Sequence, residues 1–513
     1  MPLTKTRFTL RLDNLQDAID VDDNAGRSVP VNMNFVDEGY LTKDTGFELF
    51  GAVDASLRHS LFHYKKKSGT SYILSATGTK LQVWNNTTLV WDDLSPTFTA
   101  GAEFGFYVYD DFLWGCNGVE DYFKWDGTTF TTYASAPKGN VLEIFEDRMF
   151  VTGVTAEPLS YYYSAVADPS TFPVEGVVKP LGTDHAKTMK NYYGTLLLFK
   201  AASIWKLTFE YDQVLGAFIP KIANQSDDYG ACSRKAVAAV ENDLWFFTGR
   251  EVRAIGFQDN QIGVFGINRS VISEPIKETL QLIPFAYFDK CAAFYENRRF
   301  YLSVPLTSAT ADTTFVCHTL YANSWTKYTG RDKAKINDFM VIDDVIYTTV
   351  ASGNFGCIKW TDALNDISTP ISSSVLFRRL EDEEFDRFRI YRYLDLLFKD
   401  VQGVVTGVIR TEANDGVATK EKAFFVGNAV EDELSTLGEV GWGESVWAEA
   451  FGDETAVSPF VKRRVSFLAK PQALLIGLSN ARLNETFSIW KYQLSGYEQP
   501  KRMFSGKKII SIR

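Results

Sequence analysis

The chain has 513 residues, 45% of them hydrophobic and 14% aromatic, with a formal net charge of -11. That length is more than one ordinary compact domain needs and provides for two or three, and so many aromatic side chains favour strands. The acidic balance excludes a protein that grips DNA regardless of sequence, because such binding needs a basic face to displace counterions.

Residues 1–50 read as an N-terminal segment partly packed on the domain after it, with strand alternation in LTKTRFTLRLD and a turn-rich DVDDNAGRSVPVN. This opening lacks the apolar core of a signal peptide, and no run in the chain approaches the roughly 18 apolar residues of a membrane span. The expectation is a soluble protein without a membrane span, made in a reducing compartment. Five widely spaced cysteines without a CxxC (Cys116, Cys232, Cys291, Cys317 and Cys357) agree with that expectation.

From 51 to 362 one pattern recurs: one or two acidic or amide residues, an apolar strand, a glycine or polar turn, and a second strand. DDFLWGCNGVEDYFKW, ENDLWFFTGREVRAIGF and IDDVIYTTVASGNFGCIKW are three instances. The apolar centres fall at Tyr72, Phe112, Met149, Leu196, Leu244, Phe300 and Val345, a loose period of roughly 45 residues. Several short strands per period predict a β-propeller of about seven blades. A blade cannot bury both faces alone, so its neighbours supply the missing contacts, and this demands apolar strands and tight turns rather than fixed words. An extended array of β-sandwiches with coincidental spacing is the other reading of the pattern.

Near 362 the texture changes. DALNDISTPISSS is polar and reads as a linker. Residues 371–500, with RFRIYRYLDLLF, VVTGVIRTEAND, VSFLAKPQALLIGLSN and FSIWKYQLSGYE, predict a β-sandwich of the jelly-roll type. The fold class is therefore all-β throughout. The tail 501–513, KRMFSGKKIISIR, carries Lys501, Arg502, Lys507, Lys508 and Arg513 and no acidic residue. Apolar residues interleave with these charges, so the tail reads either as an arm that orders on a partner or as a solvated terminus.

Few motifs carry chemistry. His59 and His63 stand four apart, but no glutamate follows the first as HExxH requires, and the context is a strand. Asp20, Asp22 and Asn24 alternate as hard oxygen ligands do. Ala25 and Val31 then replace the glycine and glutamate of a calcium loop, which leaves a loose cation site or a solvated turn. Acidic pairs such as Asp92-Asp93, Asp110-Asp111, Asp227-Asp228 and Asp343-Asp344 read as solvated loops. Tyr161, Tyr162 and Tyr163 suit a protein interface if they sit in a loop, and half-buried strand ends otherwise. No nucleophile elbow, P-loop or dinucleotide fingerprint appears in its required context, and no cofactor is expected.

Asn32-Met33 opening the segment that runs to Gly39, Gly46 to Glu48, and Gly230 to Ser233 ahead of Leu-Trp-Phe are carried, in order, across about residues 30–360. In this the chain resembles the tail propeller proteins of tailed bacteriophages, including the nozzle (tail tubular) proteins of short-tailed phages. The resemblance implies a structural subunit and not an enzyme. It implies a homo-oligomeric ring, commonly sixfold, below the portal and adaptor of a virion tail, and assembly in the host cytoplasm. Genomic DNA would pass through the ring without specific binding, and tail fibres or neighbouring tail proteins would dock on it. Two other readings remain open: a carbohydrate-binding or glycan-active propeller, and a cellular scaffold propeller, although WD and kelch signatures are missing.

Overall fold

The structure is a computed structural model that describes residues 6–12, 29–37, 39–94, 96–214, 216–257, 265–267, 271–321, 324–353, 356–377, 380–381, 387–412, 418–427, 460–469 and 473–500. The chain divides into two compact units, residues 45–368 and residues 1–44 with 369–513.

Within 45–368 the described residues form seven sheets in sequence order, antiparallel except where Asn365–Asp366 joins the last one parallel to its neighbour. The first comprises Arg58–Lys65, Ser71–Thr77, Lys80–Asn85 and Val90–Leu94, each strand bonded to the next. Five more four-stranded sheets come next, over 105–133, 141–178, 186–226, 237–267 and 292–329. The seventh takes Ile336–Ile342, Val345–Val350 and Cys357–Trp360, and its fourth strand comes from far upstream. Phe47–Leu49 pairs antiparallel with Cys357–Trp360, Phe47 opposite Trp360, and Asn365–Asp366 continues that sheet. Each sheet packs on the next. Tyr64, Leu74 and Leu81 meet Leu113, Phe123 and Trp125, and Phe145, Phe150 and Tyr161 meet Met189, Leu196 and Leu198. The seventh closes on the first, where Met340 and Cys357 cluster with Leu61. Sheets that succeed one another round a closed ring are the arrangement of a β-propeller, and they are called blades below.

The recurring pattern has a local cause. All seven apolar centres lie on the second strand of their blade. In six blades the first and second strands join through two residues: Asp110-Asp111, Glu146-Asp147, Tyr193-Gly194, Glu241-Asn242, Asn297-Arg298 and Asp343-Asp344. Five of these pairs hold positive φ at both positions, for example 47° at Asp110 and 64° at Asp111. Two-residue hairpins whose backbone matches strand twist demand positive φ, and aspartate and asparagine tolerate it better than most residues. The acidic residue that opens each instance is the turn itself.

The closing strand is held by polar joints. The Arg331 guanidinium donates to the Thr45 carbonyl at 2.8 Å and pairs with the buried Asp366 carboxylate at 2.5 Å. Lys333 donates to the same Thr45 carbonyl at 2.8 Å. Gly46 passes so close to the chain that an added Cβ would sit 1.8 Å from the Asn365 carbonyl oxygen. The stretch after 362 is therefore not a plain linker: its Asp366 anchors the seam that shuts the ring.

The described residues of the other unit form two antiparallel sheets. One runs Met33–Phe35, Leu41–Lys43, Thr486–Pro500, Arg387–Gln402, Phe460–Ala469, with Thr6–Leu12 also on Thr486–Pro500. The other runs Ser373–Leu376, Ala473–Asn480, Val404–Glu412, Ala418–Gly427, with Leu380–Glu381 on Ala473–Asn480. The buried Lys43 ammonium ties them, donating to the Asn480 side-chain oxygen at 2.6 Å and the Glu485 carbonyl at 2.8 Å. The N-terminal boundary thus differs from the sequence reading. Residues 1–44 go with the second unit, because Leu41–Lys43 pairs with Thr486–Pro500. Only the segment from 45 onward enters the propeller. Pairing between strands more than four hundred residues apart leaves no trace in local periodicity.

Candidate functional site at the propeller axis

Gly230, Ala231, Cys232 and Ser233 lead from the fourth blade into the first strand of the fifth, Val237–Val240. Gly230 is required here by close approach: a Cβ would lie 2.2 Å from the Lys200 carbonyl oxygen. Ser233 donates its hydroxyl to the Cys291 carbonyl at 2.5 Å, at the entrance to the sixth blade. Arg234 and Lys235 come directly after, and both cross the ring.

The Arg234 guanidinium reaches the second and third blades. It donates through Nε to Glu103 at 2.8 Å, pairs with the same carboxylate through Nη2 at 2.6 Å, and donates through Nη1 to the carbonyls of Phe104 at 3.1 Å and Asn140 at 3.0 Å. Lys235 reaches the seventh blade, donating to the Asn337 carbonyl at 2.9 Å and standing 3.4 Å from Asp338. It also lies 3.8 Å from Glu103. Asp338 in turn accepts the Leu61 amide of the first blade at 3.0 Å. Two adjacent cations thus link five of the seven blades through the middle of the ring.

That geometry sets the electrostatics. Burial alone would raise the Glu103 pKa, but the charges of Lys235, Arg234 and Lys290 outweigh it and hold the carboxyl at about 2. His59, on the first strand of the first blade, is only 3% exposed. Its burial pushes the imidazole down to about 4, Glu103 opposing this and Lys235 and Arg234 adding to it. The Gly78 backbone lies near the ring and favours its charged form slightly, yet neither imidazole nitrogen makes a hydrogen bond. His59, Glu103, Lys290 and Asn337 line a cavity of about 350 Å3 beside the tie.

The residues singled out by sequence fall elsewhere. Asp20, Asp22 and Asn24 lie outside the described residues, as do Lys501, Arg502, Lys507, Lys508 and Arg513. Tyr161, Tyr162 and Tyr163 form a strand and not a loop. Tyr161 is fully buried, its hydroxyl donating to the Phe199 carbonyl at 2.9 Å in the next blade, so it presents nothing to a partner. Tyr162 and Tyr163 are half-buried and pack into the clusters on either side of their blade. His59 and His63 share the strand Arg58–Lys65, as their context predicts. Asp92 and Asp93 belong to the strand Val90–Leu94 rather than to a loop, and Asp93 accepts from Gln82 at 2.7 Å and from Lys80. All five cysteines are buried and free, and burial pushes the Cys317 and Cys357 thiols up to about 12. Among the described residues no three metal-ligating side chains converge.

Glu103, Arg234, Lys235, Asp338 and His59 in its axial role escape the sequence reading. One signal was present: two cations directly after a turn of small residues and directly before an apolar strand, where solvated charge is out of place.

No family model matches the chain, and no curated protein sequence matches it. Among solved structures it is similar to the Neurospora crassa Pan2 WD40 domain, with 11% identity and a TM-score of 0.36 over 64% of this chain and 97% of that one.

Proposed function

We propose that the chain is a structural subunit of a bacteriophage tail: a seven-bladed propeller with a jelly-roll-like β-sandwich. It acts as a nozzle or ring protein below the portal and adaptor, and not as an enzyme. One observation carries the reading. Two of the sequence echoes of tail propellers fall on architecture: Gly46 to Glu48 overlaps the strand Phe47–Leu49 that closes the ring, and Gly230 to Ser233 sets up the tie across it. Both stretches serve here to make one rigid propeller, which is what a ring subunit requires.

The tie also bears on where DNA would pass. Arg234 and Lys235 occupy the propeller's own axis, so the conduit is the space enclosed by several subunits, sixfold in the simplest case. A net charge of -11 suits that wall, since it repels phosphates and keeps friction low. Adaptor, neighbouring tail proteins and fibres would dock on the rims, where rigid turns project. Cryo-electron microscopy of the native assembly tests this. A closed ring of this chain around a central channel is expected in virions, and a discrete monomer or dimer that never enters particles overturns the proposal.

A further inference from the structure

The fourth blade carries an arm. Its third and fourth strands, Ile204–Asp212 and Ala217–Ser226, pair along their whole length. The second strand, Thr195–Lys200, accompanies the third only as far as Leu207. Five residue pairs, from Thr208 with Lys221 to Asp212 with Ala217, run on without it as a two-stranded ribbon of roughly 16 Å. Residues directly opposite one another share a face, so the ribbon has two unlike sides. Leu207, Phe209, Tyr211, Phe218, Pro220 and Ile222 make one side, and Glu210, Asp212 and Lys221 stand on the other.

The apolar side begins in the core. Leu207 and Phe209 are buried in the cluster with Phe145 and Phe150 of the third blade, and the Arg148 guanidinium lies over the Phe209 ring at 4.2 Å. Farther out the same stripe is bare: Tyr211 is 57% exposed, Phe218 58%, and Val214 at the tip 94%. Tyr211 and Phe218 meet edge to face at 5.4 Å. A ribbon of two strands is marginal in water by itself, and a contiguous bare apolar stripe on one marks a surface made to be covered.

Charge identifies the cover. Antiparallel order puts the tip of the ribbon at the same end of its blade as the turn between first and second strands. Those turns stand side by side round the ring: the Lys67 amide donates to Asp111 at 2.6 Å, and the Tyr193 hydroxyl donates to the Asn242 side chain at 3.3 Å. Asp110-Asp111, Glu146-Asp147, Asp343-Asp344 and Glu241 bring seven carboxylates to that end, against the cations Lys66, Lys67 and Arg298. A segment that suits this surface is apolar and cationic together. Residues 501–513, KRMFSGKKIISIR, have that composition: five cations, no acid, and Met503, Phe504, Ile509, Ile510 and Ile512 among them.

We propose that the arm and the acidic turns beside it are the docking surface for residues 501–513 of a second copy of this chain. The apolar side chains of that segment cover Tyr211, Val214 and Phe218, and its lysines and arginines face the carboxylates. The inference rests on the ring reading for the source of the segment. It gives that ring a head-to-tail contact, which closes when repeated round an axis.

Fluorescence anisotropy tests this, with a labelled synthetic peptide of residues 501–513 added to the full chain. Saturable binding with a Kd on the order of 10 μM is expected. Phe218→Asp and Val214→Asp both alter exposed positions, so the fold survives them. Each should weaken the peptide about tenfold or more while the melting temperature stays unchanged. A peptide carrying Lys507→Glu and Lys508→Glu should also bind about tenfold more weakly or worse. The proposal is overturned if the natural peptide does not bind at about 100 μM chain. It is overturned equally if both arm variants bind like the wild type, or if the charge-reversed peptide binds as well as the natural one. Peptide binding is read on the isolated chain and ring formation in virions, so each can fail without the other.

Discussion

The flanks of the blades and the centre of the ring are held by different physics. On the flanks, large apolar side chains interlock from blade to blade: Trp125 with Tyr64 and Tyr72, Phe199 with Phe246, Trp245 with Phe300, Phe294 with Phe339. A buried ring there acts through its area and volume, and another apolar group of similar size serves nearly as well. At the centre, three committed groups, Glu103, Arg234 and Lys235, meet through ion pairs and backbone carbonyls with fixed geometry. The flank is a matter of pattern, the centre of identity. A ring of seven similar sheets needs both: packing to make neighbours adhere, and a directional contact across the middle to fix which blade faces which.

The sharpest way to break the comparison is at Arg234. Arg234→Ala strips Glu103 of the guanidinium that meets one of its oxygens through two nitrogens, and leaves the Phe104 and Asn140 carbonyls without that donor. Removing one member of a largely buried ion pair costs about 3–5 kcal/mol. A fall of that size is expected in the urea unfolding free energy of the full chain. The double variant Arg234→Met with Glu103→Leu removes both charges and should lose less than Arg234→Ala does. Equal losses in the two would mean that the pair acts by packing alone, and the contrast with the flanks would fail.

Acid should find the centre before it finds the flanks. His59 has a folded pKa of about 4 against an ordinary 6.5, and Glu103 about 2 against 4.5. In both cases the unfolded chain binds more protons than the folded one, so stability rises with pH across each window. His59's contribution is complete above pH 6.5 and is lost as pH falls to about 4. It amounts to something on the order of 3 kcal/mol. Glu103 extends the loss from 4.5 down to about 2. The groups that face His59 are Glu103, Lys235 and Arg234. Melting temperature measured from pH 7 to pH 4 should drop steeply in the wild type and less steeply in His59→Leu. Parallel slopes would remove His59 from the account.

These two regions also mark how far the sequence could be read. The flanks were legible because burial on both faces of a blade repeats every time the chain returns, and so all seven apolar centres identify second strands. The turns were legible in retrospect: Asp110-Asp111 and Asp343-Asp344 look like solvated charge, and their backbone conformation explains the choice of residue. The centre was not legible. Arg234 reaches Glu103 across 131 positions, and nothing local announces the partner. The same holds for Phe47–Leu49, which pairs with Cys357–Trp360, and for Arg331, whose partner Asp366 lies in a stretch polar enough to pass for a linker. Tyr161 misled for the opposite reason, since three tyrosines in a row suggest a surface while strand alternation buries the first.

A flank substitution that keeps volume should be nearly silent. Leu198 is fully buried in the cluster between the third and fourth blades. Leu198→Met should cost less than about 1.5 kcal/mol, whereas Leu198→Ala should cost about 2–5 kcal/mol through the cavity it leaves. Urea midpoints of the two variants measure the difference. If Leu198→Met cost as much as Arg234→Ala, the flanks would be as particular as the centre.

The smallest effect belongs to the turns, and it has the opposite sign. Asp343 and Asp344 hold φ of 48° and 63°, values that a side chain with a Cβ adopts at some cost. Asn-Gly is the pair best matched to a two-residue hairpin of this twist. Replacing Asp343-Asp344 by Asn-Gly keeps the register in which Ile342 faces Val345 and relieves the second position. It also removes two like charges from one exposed turn. The glycine loses more freedom on folding, which offsets part of the gain. A net stabilisation of about 0.5 kcal/mol is expected from these opposing terms, seen as a small upward shift in melting temperature. A loss instead would mean that the carboxylates do something at this turn besides shape it, and the place to look would be the first blade beside it, where the Asp343 charge favours the protonated form of His63.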